Sequence, residues 1–299
     1  MPVYLLAAVA SYFLLALAGL VDKILLKTTI VSPRAYAFFV GILGILALVF
    51  IPFGVSWPLQ PRFLVAALAS GVTSVYALWS FYSALKDFDP SRAITTVGAL
   101  IPVFTLIFSI VLFAETHVPV HFLAIFLLVL GGVLISIREN VLGSYSFELF
   151  RHAVLAASLF AFSLALLRFV FINETFINGL FWSRIGTVLG AVSILVVPEN
   201  FRRIWWAAKK APPIAPIPFL LNQGLGGTGA LLQTFAISLG SATLVSALQG
   251  IQYAFIFVLL FFLAPYFPAL GERFDPRENL AKAVAIVAIS TGLYILALG

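Results

Sequence analysis

SRAITTVGALIPVFTLIFSIVLFAE, residues 91–115, runs from Arg92 to Glu115 through 22 residues without one charge. A bilayer core about 30 Å thick takes roughly 20 apolar residues of helix, so a span is predicted near 91–113. Working outward, the same pattern of apolar runs bounded by charge, Pro or Gly recurs along the chain. It gives ten segments, near 3–22, 34–54, 63–85, 91–113, 120–137, 152–171, 177–197, 214–238, 242–264 and 280–298. The runs are continuous rather than alternating, which points to helices and not to a barrel.

Composition agrees. Of 299 residues, 63% are hydrophobic, 15% aromatic and only 9% charged, with a mean hydropathy of +1.14. Soluble domains are nearer half apolar and a quarter charged, and a soluble chain of this size has too little interior to hide the excess. Disorder is excluded by the aromatic content. With no Cys, disulfides, thiolate nucleophiles and Cys-based zinc sites fall away. The first helix lacks the basic start of a secretory leader and is expected to stay in the mature protein.

Most loops are short, so consecutive helices are antiparallel neighbours. Two are longer. RENVLGSYSFELFR (138–151) divides the chain near its middle, and ENFRRIWWAAKKAPP (199–213) mixes four cations with Trp205 and Trp206. The second suits a short helix in the headgroup region. Loops after odd-numbered helices hold Lys23, Lys27, Arg34, Lys86, Arg92, Arg138, Arg151, Arg202, Arg203, Lys209, Lys210, Arg273, Arg277 and Lys282, against Arg62 and Arg168 after even ones. The positive-inside rule then puts both termini outside the cytoplasm.

The halves of the chain resemble each other. A shift of 145 pairs Ala8-Val9 with Ala153-Val154, Lys23 with Arg168 and Gly41 with Gly186, and VGALIPVFTLIFSIVLF (97–113) is similar to LQGIQYAFIFVLLFFLA (248–264). Five helices per half is an odd number, so the second half crosses in the opposite sense. The expectation is an all-α integral membrane protein with ten transmembrane helices in two inverted repeats, residues 1–143 and 144–299, around a central cavity.

SALKDFDPSRAITTVGALIPVFTLIFSIVLFAET (83–116), followed by AIFLLVLGGVLIS (124–136), resembles the EamA domain of the drug/metabolite transporter superfamily. The resembling features are Ala84-Leu85, Ser91-Arg92-Ala93, Pro102-Val103-Phe104, Glu115 and Gly131-Gly132, with Lys23 at the end of helix 1. The second half matches through Ala236-Ile237, Ser241-Ala242, the Gln252 region and Glu272-Arg273. The resemblance implies carriage of small metabolites such as amino acids, sugars or drugs. It also implies cytoplasmic termini, opposite to the charge rule, so orientation stays open.

Polar groups within spans require explanation. Tyr76, Trp79 and Ser83 form one stripe by their 3–4 spacing. Asn222 and Gln233 lie on helix 8, and Gln249 and Gln252 share a face of helix 9. Arg184 is the one basic residue well inside a span, placed to snorkel, to pair with Glu174 or to meet a substrate carboxylate. These eight are the candidate substrate-binding residues, interhelical hydrogen bonding being the alternative for each. GLGGTG (224–229) lies within a helix and not in a βαβ unit, so it marks close helix approach rather than a dinucleotide loop. Pro102 is expected to kink helix 4.

The acids all sit near helix ends or in loops, Asp22 being the exception if helix 1 sits deeper than placed here. The expectation is therefore a facilitator or exchanger. Enzyme chemistry is not expected, because His117 and His121 are separated by Pro119 and His152 stands alone. No cofactor, metal or nucleic-acid partner is expected. The partners are a small-molecule substrate and membrane lipids, the state a monomer or homodimer, and the location the cell (inner) membrane. The alternative function is a flippase for a lipid-linked metabolite.

Overall fold

The computed structural model describes residues 2–30, 32–56, 60–113, 119–136, 147–210 and 216–270, with six further positions at 284, 287, 288, 291, 292 and 295. Glu115, His117, the centre of the 138–151 loop, Glu272-Arg273 and most of the helix expected at 280–298 lie outside them. Every described element is helical. In chain order they are α1 (Val3–Thr28), α2 (Pro33–Ile42, continuing as a 3-10 helix over Leu43–Phe53), α3 (Pro61–Asp87), α4 (Pro90–Phe113) and α5 (Pro119–Ser136). There follow α6 (Phe147–Asn173), α7 (Phe176–Leu195), α8 (Pro198–Lys210), α9 (Pro216–Leu239), α10 (Ala242–Ala247) and α11 (Gly250–Leu263).

Local chemistry sets the boundaries. Six of these helices begin at a proline, whose fixed φ suits the first turn and whose missing N–H costs nothing there. Ser32 caps α2 by accepting from the Ala35 N–H, and Thr175 caps α7 by accepting from the Asn178 N–H. The 3-10 run after α2 ends at Gly54, which takes φ 97°, a conformation that favours glycine.

Seven stretches among the described residues are long and apolar enough to cross a bilayer: Val3–Thr28, Pro33–Phe53, Pro61–Asp87, Pro90–Leu112, Phe147–Asn173, Phe176–Leu195 and Ala242–Leu263. The chain is thus a multi-pass membrane protein. Ten equal crossings do not appear among the described residues. α5 is 18 residues long and apolar along most of its length. In α9, 24 residues long, Asn222, Gln223, Gln233 and four glycines dilute the apolar character.

One sequence boundary is corrected. Helix 1 does not end at its first charges but continues to Thr28, because the structure satisfies both charges inside it. Asp22 accepts from Tyr36 Oη and from Asn222 Nδ2, while Lys23 Nζ donates to the carbonyls of Leu85 (2.7 Å), Lys86 (3.1 Å) and Phe88. The span expected at 242–264 is found as Ala242–Leu263, with a tightened turn at Leu248–Gln249 between α10 and α11, where the backbone makes short-range bonds such as Gln252 N–H to Gln249 C=O. Gln249 stands at that tightened turn. The segment at 199–213 does hold a short helix, α8, carrying Trp205 and Trp206 half-exposed.

α3 packs along α6, α7 and α2, while α1 packs along α9 and α11. The α3–α7 contact is backbone on backbone: a Cβ at Gly71 would overlap the Ser183 carbonyl oxygen, and one at Gly186 the Leu68 carbonyl oxygen. The GLGGTG glycines divide. Gly226 and Gly229 face α1, whereas Gly224 and Gly227 face open space. Ile45, Leu46, Val49 and Phe53, and on α11 Phe261 and Phe262, are exposed, as befits helices whose outer solvent is hydrocarbon.

Candidate functional site

A cavity of about 1090 Å³ opens between the two halves of the chain. Its walls come from the end of α1 (Thr28, Thr29), the start of α2 (Ser32, Arg34), the second half of α3 (Thr73 to Lys86), the start of α6 (His152, Leu155, Leu159) and α8 (Arg202, Arg203, Trp206, Lys210). Thr73 and Lys86 are 13 residues apart on one helix. At 1.5 Å per residue the cavity runs about 20 Å deep along α3, well over half the hydrocarbon thickness. The cations of the wall all belong to the odd-loop, basic side.

The α3 stripe faces into this space. Tyr76, Trp79 and Ser83 all line it, joined by Ser80. Each is held in place. Tyr76 Oη and Ser193 Oγ are 2.8 Å apart, linking α3 to α7. Ser80 Oγ donates to the His152 carbonyl at 3.0 Å, linking α3 to α6. Ser83 Oγ donates back to the Trp79 carbonyl at 2.9 Å. Arg34, from α2, lies with its guanidinium carbon 5.1 Å from the Trp79 ring centre and donates from Nη1 to Asn200 Oδ1 at 2.7 Å. The indole and the guanidinium thus form one stacked unit, a geometry that adds cation–π attraction where water is scarce.

The other sequence candidates stand elsewhere. Asn222 is buried and donates to Asp22 Oδ1 at 2.6 Å and to the Ala18 carbonyl at 3.3 Å, joining α9 to α1. Gln233 Nε2 donates to Tyr12 Oη at 3.2 Å, and that hydroxyl donates to the Val245 carbonyl at 2.7 Å. Gln249 Nε2 donates to Gln252 Oε1 at 3.3 Å at the tightened turn between α10 and α11. In this structure all four make interhelical or intrahelical bonds away from the cavity. Arg184 is also off the cavity wall, and Glu174 accepts from Asn178 Nδ2 at 2.8 Å.

Sequence reasoning missed Arg34, Lys86, His152, Arg202 and Trp206 as cavity residues. Arg34 and Lys86 lie near helix ends, where a cation reads as an anchor, while Arg202 and Trp206 belong to the short α8 and His152 to the second turn of α6. The signal was present in their clustering: all fall on one side of the membrane pattern, next to the aromatic stripe.

Residues 2–137 match the model of the EamA-like transporter family. These residues form an EamA domain. It belongs to the drug/metabolite transporter superfamily, whose members are transporters rather than enzymes. No curated protein matches the sequence. Among solved structures, one titled "Crystal structure of protein" matches with a TM-score of 0.63 at 18% identity, covering 98% of this chain and 96% of that one. At that identity the likeness shows the fold alone. It spans both halves, so the likeness in fold covers the chain beyond residues 2–137 as well.

Proposed function

We propose that the chain is an alternating-access carrier for small metabolites in the cell membrane, working as a facilitator or exchanger. The observation that carries this reading is the deep cavity, open on the basic face and walled by helices from both halves. By the charge rule that face is cytoplasmic and the conformation inward-open; with the cytoplasmic termini that the family resemblance implies, the same cavity is outward-open. Ten crossings in two inverted repeats, 1–143 and 144–299, give such a cavity its mirror image on the far side. The parallel bonding of Lys23 and Arg168 supports the repeat.

The facilitator reading rests on the character of the wall. Ion-coupled carriage needs a titratable group that the cavity reaches; no Asp or Glu is among the described lining residues, which leaves His152 as the group a proton-coupled mechanism would have to use. Asp22 is buried between α1, α2 and α9, its carboxylate engaged by Tyr36 and Asn222.

Uptake of a labelled amino-acid and sugar panel into proteoliposomes, with and without a pH gradient, tests the reading. Saturable flux indifferent to the gradient is expected. Accumulation driven by a proton gradient overturns the facilitator mechanism. Flux restricted to a lipid-linked substrate favours the flippase alternative, for which the observation is that α8 brings Trp206 and Lys210 to the cavity mouth at headgroup level.

A further inference from the structure

Five cations line the cavity, Arg34, Lys86, Arg202, Arg203 and Lys210, with no carboxylate among the described residues of the wall. Arg203 shares its charge with Glu199 at 2.7 Å. Asp87 and Glu148 stand near enough to His152 for their charges to reach it, which leaves the rim still net positive. Low-dielectric walls carrying one sign of charge focus the field into the space between them. A cationic solute entering it is repelled, and a neutral one gains nothing from it.

We propose that the cavity is built for an anionic solute, a carboxylate or phosphate seated on Arg34 with its body against Trp79 and Tyr76. A guanidinium has five N–H donors in a planar fork, and Arg34 spends one on Asn200 Oδ1. That bond and the Trp79 ring fix the orientation of the fork, so little side-chain entropy remains to be lost when an oxyanion binds bidentately. Ser32 and Arg34 also place the N-terminal end of α2 at the cavity wall, and a helix N-terminus favours negative charge. Trp79 and Tyr76 give the rest of the solute an aromatic face, and Thr28 and Ser83 add hydroxyls. This assignment rests on the carrier reading and narrows it from small metabolites to anionic ones. The same chemistry would hold an anionic lipid headgroup at the mouth, and the experiment separates the two sources.

The full chain is reconstituted in phosphatidylcholine vesicles. Uptake is measured for two matched sets, glucose 6-phosphate, glucose and glucosamine, and phenylacetate, phenylalanine and phenethylamine. Anion uptake that excludes the neutral and cationic members is expected. Losing a charge-assisted hydrogen bond in Arg34→Gln should reduce that uptake about tenfold or more. Arg34→Lys should restore part of it, and Lys86→Gln should weaken it independently. Arg62→Gln, against the Phe63 ring at the opposite end of α3, should change nothing. Equal or better uptake of the neutral or cationic members overturns the anion assignment and leaves the carrier reading standing. No flux of any member, together with an Arg34-dependent change in Trp fluorescence when phosphatidylglycerol is added, keeps an anion site but assigns it to lipid and overturns the carrier. Silence in both arms overturns both.

Discussion

Lys23 on α1 and Arg168 on α6 make the same kind of contact, each donating to the last carbonyls of another helix. Lys23 of α1 donates to the carbonyls of Leu85, Lys86 and Phe88 at the end of α3. Arg168 of α6 donates from Nη1 to the carbonyls of Ile237 and Ser238 at the end of α9, at 3.0 and 3.1 Å. A helix C-terminus leaves its last carbonyls without intrahelical partners and carries partial negative charge. In each half a cation on the first long helix meets that need on the third. The two packings run in parallel as well, α1 against α9 and α6 against α3.

Removing either cation should therefore act on stability first. Lys23→Ala orphans three acceptors, that of Leu85 buried and those of Lys86 and Phe88 partly so, and is expected to cost about 1–3 kcal/mol, with Arg168→Ala milder because Arg168 is half-buried. Thermal unfolding in detergent measures both. A larger loss at Arg168 than at Lys23 would contradict the account.

Trp79→Ala takes away the ring beneath Arg34 and opens the cavity wall. A cation–π contact in a partly dry site is worth about 0.5–2 kcal/mol, so half-saturation of uptake should rise about twofold to thirtyfold with the fold intact. Tyr76→Phe, which breaks only the link to Ser193, should show a smaller effect. Initial-rate uptake across a substrate range reads both.

Gln233→Ala and Asn222→Ala should behave in the opposite way. Both side chains tie α9 to α1 rather than facing the cavity, and interhelical hydrogen bonds in membranes contribute about 0.6–2 kcal/mol. A lower melting temperature with half-saturation unchanged within about twofold is expected from bonds of that size. A selective loss of affinity would place these residues in the transport path.

Glycines offer a paired test of packing. Gly71→Ala and Gly186→Ala push a methyl into the facing backbone of α7 and α3, where neither side can yield, and overpacking of that kind costs about 1–3 kcal/mol. Gly224→Ala and Gly227→Ala meet open space and should be neutral or slightly stabilising through better helix propensity. Melting temperatures of the four variants decide it.

The helices were legible because charge and proline punctuate the apolar runs, and the Tyr76, Trp79, Ser83 stripe was legible because its spacing puts it on one face. The four amide residues show where that logic stops. A polar side chain in an apolar helix looks the same in sequence whether it faces a cavity or a neighbouring helix. Asp22 makes the point most sharply. Read as a helix-end charge, it lies well inside α1 because Tyr36 and Asn222 supply donors from two other helices.

By itself the sequence determined the solvent and the secondary structure. So apolar a chain needs lipid around it, and in lipid every backbone group must be satisfied within a helix or a closed barrel. Only the tertiary structure decided which polar faces meet water and which meet each other. Periodicity says which residues share a face, but the rotation and crossing of helices distant in sequence say what that face opposes. Asp22 and Asn222 are 200 residues apart, and Arg34 reaches the cavity beside Trp79 only because α2, α3 and α8 pack together there.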